Sequence, residues 1–363
     1  MKILHVITSL RIGGAEKLMV DLLPRLQERG HEVAIYVFCG VHTPLVEQLQ
    51  SAGVNVIMGN RKESVYNPKH IKILRQLMPK YDIVHTHNTS PQLFAAIANI
   101  GRTIPIITTE HNTTNRRRTH RLFRPIDRWM YHQYQQIVCV SEPCQTNLQA
   151  YLPDIKKSSI CVINNGIDTQ KFAQALDSTE YNHQTLQATR IIINVAGFRR
   201  QKDQPTLIRA MKLLPDDHHL LLVGDGMCMN DCKQLAITLG VEKRVHFLGV
   251  RTDIPNLLKA ADVIVMSSHY EGLSLSNLEG MSAGKPFVAS DVDGLREIVT
   301  GYGVLFPHED EKALAAIIQQ LCNDSQYAAT VATRCQQRAF EYDISKMVAA
   351  YDAVYHEVMN LKG

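Results

Sequence analysis

Apolar runs and amphipathic stretches alternate along the chain. Lys2–Thr8 is an apolar run of the kind that forms a strand buried in a parallel sheet. The loop Ser9–Ile12 leads to Gly13-Gly14. Ala15, Leu18, Met19, Leu22 and Leu26 then recur at helical spacing up to a stop at Gly30. Pro24 falls inside that helix, where a kink is expected. Glu32–Phe38 predicts the next strand, and Tyr81–His85, Ile104–Thr109, Ile137–Val140 and Ile160–Ile163 predict more. A polar, weakly periodic stretch, about 175–188, interrupts the series. The pattern then restarts. Strands are predicted at Ile191–Ala196, Leu220–Val223, Val245–Phe247, Val263–Met266 and Pro286–Ala289, with a helix at Pro205–Leu214. Ile344–Met359 closes the chain as a helix, with Met347, Val348, Tyr351, Val354, Tyr355 and Val358 forming an apolar stripe. Strands alternating with helices imply parallel sheets covered on both faces.

Length turns one such series into two. At 363 residues and 45% hydrophobic, the chain is too long for one ordinary core and suits two α/β domains, with the switch between about 165 and 190. Charge follows the same division. Residues 1–180 carry 21 Lys+Arg against 14 Asp+Glu, and the rest carries 18 against 21. Two halves of opposite sign suggest different partners, yet the net charge of +4 is too small for a nucleic-acid-binding protein. The eight cysteines form no CxxC pair, which argues for reduced cytoplasmic thiols rather than a zinc site or disulfide framework. No run of about 18 apolar residues predicts a transmembrane helix, and the apolar run near Met1 is too short for a signal peptide.

The most informative stretch is Glu271-Gly-Leu-Ser-Leu-Ser-Asn-Leu-Glu279, followed by Gly280-Met-Ser-Ala-Gly284-Lys-Pro286. It spans a strand–loop–helix junction. Unpaired N–H groups at a helix start attract phosphate, here those of about Leu273, Ser274 and Leu275. A carboxylate one or two turns into the helix, Glu279, can accept hydrogen bonds from ribose hydroxyls. Read alone, two glutamates at such a place are also ordinary capping charges.

This stretch resembles, nearly position by position, the paired-glutamate motif of the retaining glycosyltransferases of family 4, with Gly280 where that family usually has Ala. Other blocks fall in the family's order: Gly13-Gly14-Ala15-Glu16, Asp82 to His87, Thr109-Glu-His111-Asn112, Val140-Ser141, Asn164 to Asp168, Gln201-Lys202-Asp203, Gly224-Asp-Gly226, Phe247-Leu-Gly249 and Asp293 to Glu297. The resemblance covers the whole chain. It implies the GT-B fold, two Rossmann-like parallel-sheet domains facing across a cleft. Residues 1–170 would bind the acceptor, the last helix (344–363) would cross back to them, and residues 171–343 would bind the nucleotide sugar.

The remaining motifs can be read beside it. Arg199, Arg200 and Lys202 follow a strand end, where cations could neutralise a diphosphate leaving group; a solvated basic loop is the plainer reading. Where the family has an arginine five residues before the lysine, this chain has Gly197, so Arg199 or Arg200 is expected to act from a shifted position. Gly13 and Gly14 are either a tight turn or an anion-binding helix start. Their spacing is not the G-x-G-x-x-G of a dinucleotide dehydrogenase. Gly224 ends a strand, and the resemblance implies that the base would lie near Gly249, Val250 and Arg251. His111 matches a family histidine that contacts the transferred sugar. His85 and His87, two apart, are expected on opposite faces of their strand; a metal site built from them with His111 is not expected, because the GT-B fold that the resemblance implies needs no metal and no carboxylate ligand is evident nearby. Between Asn115 and Tyr134, Arg116, Arg117, Arg118, His120, Arg121, Arg124 and Arg128 interleave with Leu122, Phe123, Ile126, Trp129, Met130 and Tyr131. That mixture fits an anionic-lipid surface, or an amphipathic helix with solvated arginines, broken at Pro125.

The resemblance implies a metal-independent enzyme that moves a hexose or N-acetylhexosamine from a UDP-sugar, or alternatively a GDP-sugar, with retention. His111, Lys202, Glu271 and Arg199 would carry the chemistry. A glycan or lipid-diphosphate-linked acceptor is expected, as in surface polysaccharide assembly, at the inner face of a cell membrane. The rival readings are a nucleotide-sugar epimerase of the same fold and a non-catalytic nucleotide-sugar-binding protein.

Overall fold

Strands rich in Val, Ile and Leu have no polar face, so they are stable only between two layers of helices. The computed structural model, which describes residues 1–11, 13–111, 121–187, 189–271 and 274–360, places them there. The chain divides into two compact units, residues 1–166 with 344–363, and residues 167–343.

In unit 1 the strands are β1 (Lys2–Ile7), β2 (Glu32–Val37), β3 (Asn55–Met58), β4 (Ile83–His87), β5 (Ile106–Glu110), β6 (Gln136–Cys139) and β7 (Ile160–Val162). They pair in the order β3-β2-β1-β4-β5-β6-β7, every pair parallel. In unit 2 they are β8 (Arg190–Val195), β9 (His218–Val223), β10 (Val245–Gly249), β11 (Val263–Met266), β12 (Phe287–Ser290) and β13 (Val304–Phe306), in the order β10-β9-β8-β11-β12-β13. Both are Rossmann-like α/β sheets. In each, the chain winds outward from its first strand and then returns to that strand's other side. The reversal falls between β1 and β4, and again between β8 and β11. At such a point the loops after the two neighbouring strands lead away to opposite sides, leaving a crevice at the C-terminal strand ends where ligands bind.

Local sequence accounts for these elements, with some differences from the pattern alone. The helix Gly14–Glu28 continues through Pro24 as one element and buries Leu18, Met19, Leu22, Leu23 and Leu26. β4 starts at Ile83 rather than Tyr81 and runs on to His87, because Tyr81 belongs to the exit of a short 3-10 turn at Met78–Lys80. β3 and β13 are edge strands of four and three residues, absent from the predicted series. Within the polar stretch before β8, Asn182 caps a short helix at His183–Leu186; Ala188 lies outside the described residues.

The helix Ile344–Asn360 belongs to unit 1. Ile344, Met347, Val348, Tyr351, Val354, Tyr355 and Val358 are buried in the cluster that contains β1 and β2 side chains. At about 1.5–3 kcal/mol for each large apolar side chain buried, this stripe is a major part of that core. Gly166 allows the close approach at the crossing, since a Cβ there would stand 2.8 Å from the Ile344 Cα.

Candidate functional site

The loops leaving β8 and β11 flank the unit 2 switch point, and they are stitched together along their length. The His269 N–H donates to the Gln201 carbonyl at 2.8 Å, and Gln201 Nε2 donates to the Tyr270 carbonyl at 2.9 Å. Ser267 Oγ donates to the carbonyls of Asp203 and Lys202, at 2.9 and 3.2 Å. Held this way, Lys202 Nζ forms an ion pair with Glu271 Oε1, with both side chains largely buried. Ser268 Oγ donates to the same oxygen at 2.5 Å. An ammonium carries three donors, so the pairing orients Lys202 without exhausting it. Behind Glu271, Gly294 sits at φ +85, and a Cβ there would collide with the Glu271 carbonyl oxygen. Only glycine lets that loop support Glu271 so closely.

The second motif glutamate is one turn into the helix Leu275–Ser282, and Glu279 is buried. Ser274 occupies the N-cap position without a side-chain cap bond. Leu273 lies outside the described residues, so the backbone donors that the structure describes at this junction begin at Ser274. Lys202, Glu271, Ser274, Leu275 and Glu279 are thus carried by the two loops, and the one helix start, that flank the switch point.

Other expected site residues stand further out. Arg199 and Arg200 are exposed. Arg199 Nε lies 4.0 Å from where a side chain at Gly197 would begin, so its guanidinium folds back toward that place. Gly224 has a steric role: at φ +136, a Cβ there would meet the Ala196 carbonyl oxygen at 2.2 Å. It lets the β9 loop pack on the β8 loop. Val250 is exposed beyond edge strand β10. Arg251 is held by both oxygens of Asp253, at 2.9 Å each, and by Glu180 at 2.8 Å.

In unit 1, β1 and β4 bring histidines together at the other switch point. The two-residue spacing that led to an expectation of opposite faces in fact puts His85 and His87 on the same face, because side chains in a strand alternate with period two. Their rings lie 4.4 Å apart, and His5 is the register partner of His85. His5 Nδ1 and His87 Nε2 are 3.0 Å apart, and His87 Nδ1 and His111 Nε2 are also 3.0 Å apart. His85 is held by Tyr355 at 2.7 Å and Thr109 at 2.8 Å. Burial depresses all four: His111 to about 4, His5 to about 3, His85 and His87 well below the usual value. These rings are therefore neutral at pH 7, and each N···N contact carries one proton. His5 Nε2 is buried without a partner. A bare nitrogen there costs less than an orphaned N–H. That choice sends the protons from His5 to His87 to His111, and leaves the proton of His111 on Nδ1. The tautomer is assigned from the network. The alternation of β1 and β4 was the signal that could have found His5.

The helix Gly14–Glu28 begins at Gly14, after Gly13 in extended backbone. The Glu16 carboxylate folds back to within 2.3 Å of where a Gly13 Cβ would sit, and burial raises its pKa. Further along, the helix Arg124–Tyr131 buries Asp127, Met130 and Tyr131, while Leu122, Phe123, Ile126 and Trp129 are exposed with Arg124 and Arg128. Arg116, Arg117, Arg118, His120 and Asn112 lie outside the described residues, as does the Arg121 side chain. No helix among the described residues is long and apolar enough to cross a membrane.

Two family models match the chain in tandem. Glycosyltransferase Family 4 matches residues 12–171, and Glycosyl transferases group 1 matches residues 179–340. The chain belongs to the family 4, group 1 glycosyltransferases. Among curated members, it is 29% identical over 81% of its length, and 80% of the relative's, to the UDP-Gal:alpha-D-GlcNAc-diphosphoundecaprenol alpha-1,3-galactosyltransferase of Escherichia coli. It is 25% identical over 96% of its length, and 95% of the relative's, to the N-acetyl-alpha-D-glucosaminyl L-malate synthase of Bacillus anthracis. The fold is that of the GT-B glycosyltransferases. Anabaena HepE, solved in complex with UDP, superposes with a TM-score of 0.81 at 23% identity, over 98% of this chain and 100% of that one.

Within this glycosyltransferase family the chain departs at two glycines, and the structure gives each a neighbour that takes up the space. Arg199 turns toward Gly197. At Gly280, where Ala is usual, a Cβ would stand 2.8 Å from the Phe287 ring. Phe287 fills the volume that a methyl group would otherwise need.

Proposed function

We propose that this glycosyltransferase takes a hexose or N-acetylhexosamine from a UDP-sugar, with a GDP-sugar as the alternative donor, and transfers it with retention to a glycan or lipid-linked acceptor, foremost a lipid-diphosphate-linked glycan. The observation that carries the reading is the buried Lys202–Glu271 pair beside the start of the Leu275–Ser282 helix. Lys202, Arg199, Arg200 and the N–H groups of Leu273, Ser274 and Leu275 receive the diphosphate. Glu279 holds the ribose, and Gly224, Val250 and Arg251 lie toward the nucleoside. Stabilising negative charge as it develops on the leaving diphosphate is the main catalytic term.

Retention is what the resemblance to family 4 implies, and the surroundings of Glu271 bear on how it would be reached. A retaining glycosidase needs a second carboxylate free to attack the anomeric carbon. Glu271 instead accepts hydrogen bonds from Lys202 and Ser268. A same-face attack, with the leaving diphosphate taking the acceptor's proton, uses the groups that are present. His111, its proton on Nδ1, hydrogen-bonds the sugar, and Gly13-Gly14 approach the acceptor side. The reaction needs no metal: in EDTA-treated enzyme, adding Mg²⁺ or Mn²⁺ leaves turnover unchanged.

A lipid-linked acceptor is supported by the exposed Leu122, Phe123, Ile126 and Trp129 beside Arg124 and Arg128, which suit the boundary of an anionic membrane. The relative from E. coli bears the name of an enzyme acting on an undecaprenol diphosphate sugar. Incubation with radiolabelled UDP-sugars and a panel of lipid-linked acceptors tests the proposal. Label should move into the lipid phase with the anomeric configuration kept. Release of free epimerised product without acceptor would assign an epimerase, and binding without turnover would assign a non-catalytic protein.

A further inference from the structure

Three loops at the C-terminal strand ends of unit 2 bring together side chains that sugar transfer leaves unused. Asp203 follows β8, His269 follows β11, and His308-Glu309 follow β13. The ligand atoms of Asp203, His269 and His308 lie within 4.8 Å of one another. His269 Nδ1 is 2.6 Å from His308 Nε2 and 3.4 Å from Glu309 Oε1.

Three observations separate this group from an ordinary charged surface. Asp203 is only 6% exposed, and its Oδ2 has no hydrogen-bond partner, while Oδ1 caps the following helix through the Thr206 N–H. A buried carboxylate oxygen left unpaired is costly. The imidazole nitrogens of His269 and His308 are 2.6 Å apart and share one proton, so the two rings already face one another, and a cation taking both would displace that proton and part them slightly. Two of the four residues, Asp203 at φ +43 and Glu309 at φ +60, hold the left-handed backbone that non-glycine residues rarely adopt. Such strain persists where the surroundings over-determine it.

We infer that Asp203, His269, His308 and Glu309 form a binding site for a zinc-like divalent cation. Two neutral imidazoles and two carboxylates match the charge and the nitrogen–oxygen ligand preference of Zn²⁺, which takes four such ligands at about 2.0–2.2 Å. Mg²⁺ and Ca²⁺ prefer oxygen ligands alone. The inference rests on unit 2 side chains and is independent of the donor assignment. Asp203 is the neighbour of Lys202, and His269 lies two residues before Glu271. A bound cation would pin both loops to the β13 loop without touching the reacting sugar.

Metal-free full-length protein titrated with Co²⁺ tests this, followed by displacement with Zn²⁺. One Co²⁺ per chain is expected, with the visible absorption of a four-coordinate nitrogen–oxygen site and no thiolate charge-transfer band. His308→Gln, at an exposed position, should weaken binding by about tenfold to a hundredfold, as loss of a ligand or its support commonly does. Glu309→Gln should weaken it as well. Thermal unfolding of both variants in EDTA should match that of the parent protein, which separates loss of the site from loss of the fold. His356→Gln, in the His31–Asp352–His356 group of unit 1, should leave Co²⁺ binding unchanged. Absence of stoichiometric binding, a thiolate band, or equal affinity in His308→Gln would overturn the inference.

Discussion

At the scale of single residues, two positions were legible only as departures and became interpretable through their neighbours. Gly197 breaks the family's arginine–lysine pattern, but the guanidinium of Arg199 folds toward the vacant place. Arg199→Ala should lower kcat/KM by about tenfold or more, the range expected for losing one charge-stabilising donor. Gly197 is free of left-handed backbone strain, and its nearest contact for a Cβ is an ordinary 3.4 Å. Adding Gly197→Arg to the Arg199→Ala variant should therefore recover activity. Steady-state kinetics on the pair checks both. The histidines make a second residue-scale prediction. Burial holds the folded-state values of His111 and His5 at about 4 and about 3, below an ordinary value near 6.5. The unfolded chain then binds more protons than the folded chain, so stability rises with pH across this window. It is complete above about 6.5 and drains as pH falls toward 4. Denaturant midpoints between pH 7 and 4 should fall for the parent protein, and fall less for His5→Phe, whose buried ring cannot take a proton.

At the scale of elements, most of the architecture could be read from apolar runs. β11 matches its predicted span, and the terminal helix buries each residue of the expected stripe. β3 and β13 escaped although β7, an edge strand equally short, was legible as the apolar run Ile160–Ile163. The facing of His85 and His87 was misread, although the two-residue period determines it. Within the site, Glu271 and Glu279 were legible because one long motif names them, and Lys202 because the short block Gln201-Lys202-Asp203 falls in the family's order. The stitching by Ser267, Ser268 and Gln201 was not, since hydroxyl and amide bonds between distant loops leave no spacing signal. The helix Leu275–Ser282 gives the sharpest test at this scale. Gly280→Ala restores the family's usual residue, yet the new methyl would press on the Phe287 ring. It should destabilise by about 1–3 kcal/mol, the cost of overpacking a tight core. Phe287→Leu in the same chain should recover part of that loss in thermal unfolding, although either change alone is destabilising.

At the scale of the whole molecule, one winding scheme is used twice. Each unit has its reversal beside its first strand, and each gathers its unusual side chains there: neutral histidines in unit 1, and a lysine, a glutamate and a helix start in unit 2. This repetition is absent from the residues themselves and emerges only in the strand order. Under the proposed function, each crevice would take one of the two substrates. The central claim is that unit 2 recognises a diphosphate through Lys202. Calorimetric titration of UDP and UMP into the full-length protein and into Lys202→Ala measures it directly. UDP should bind the parent protein at least about tenfold more tightly than UMP, in keeping with a charge-assisted contact to the second phosphate, and Lys202→Ala should erase most of that difference. Equal affinity for UDP and UMP in the parent protein, or an unchanged preference in the variant, would contradict it.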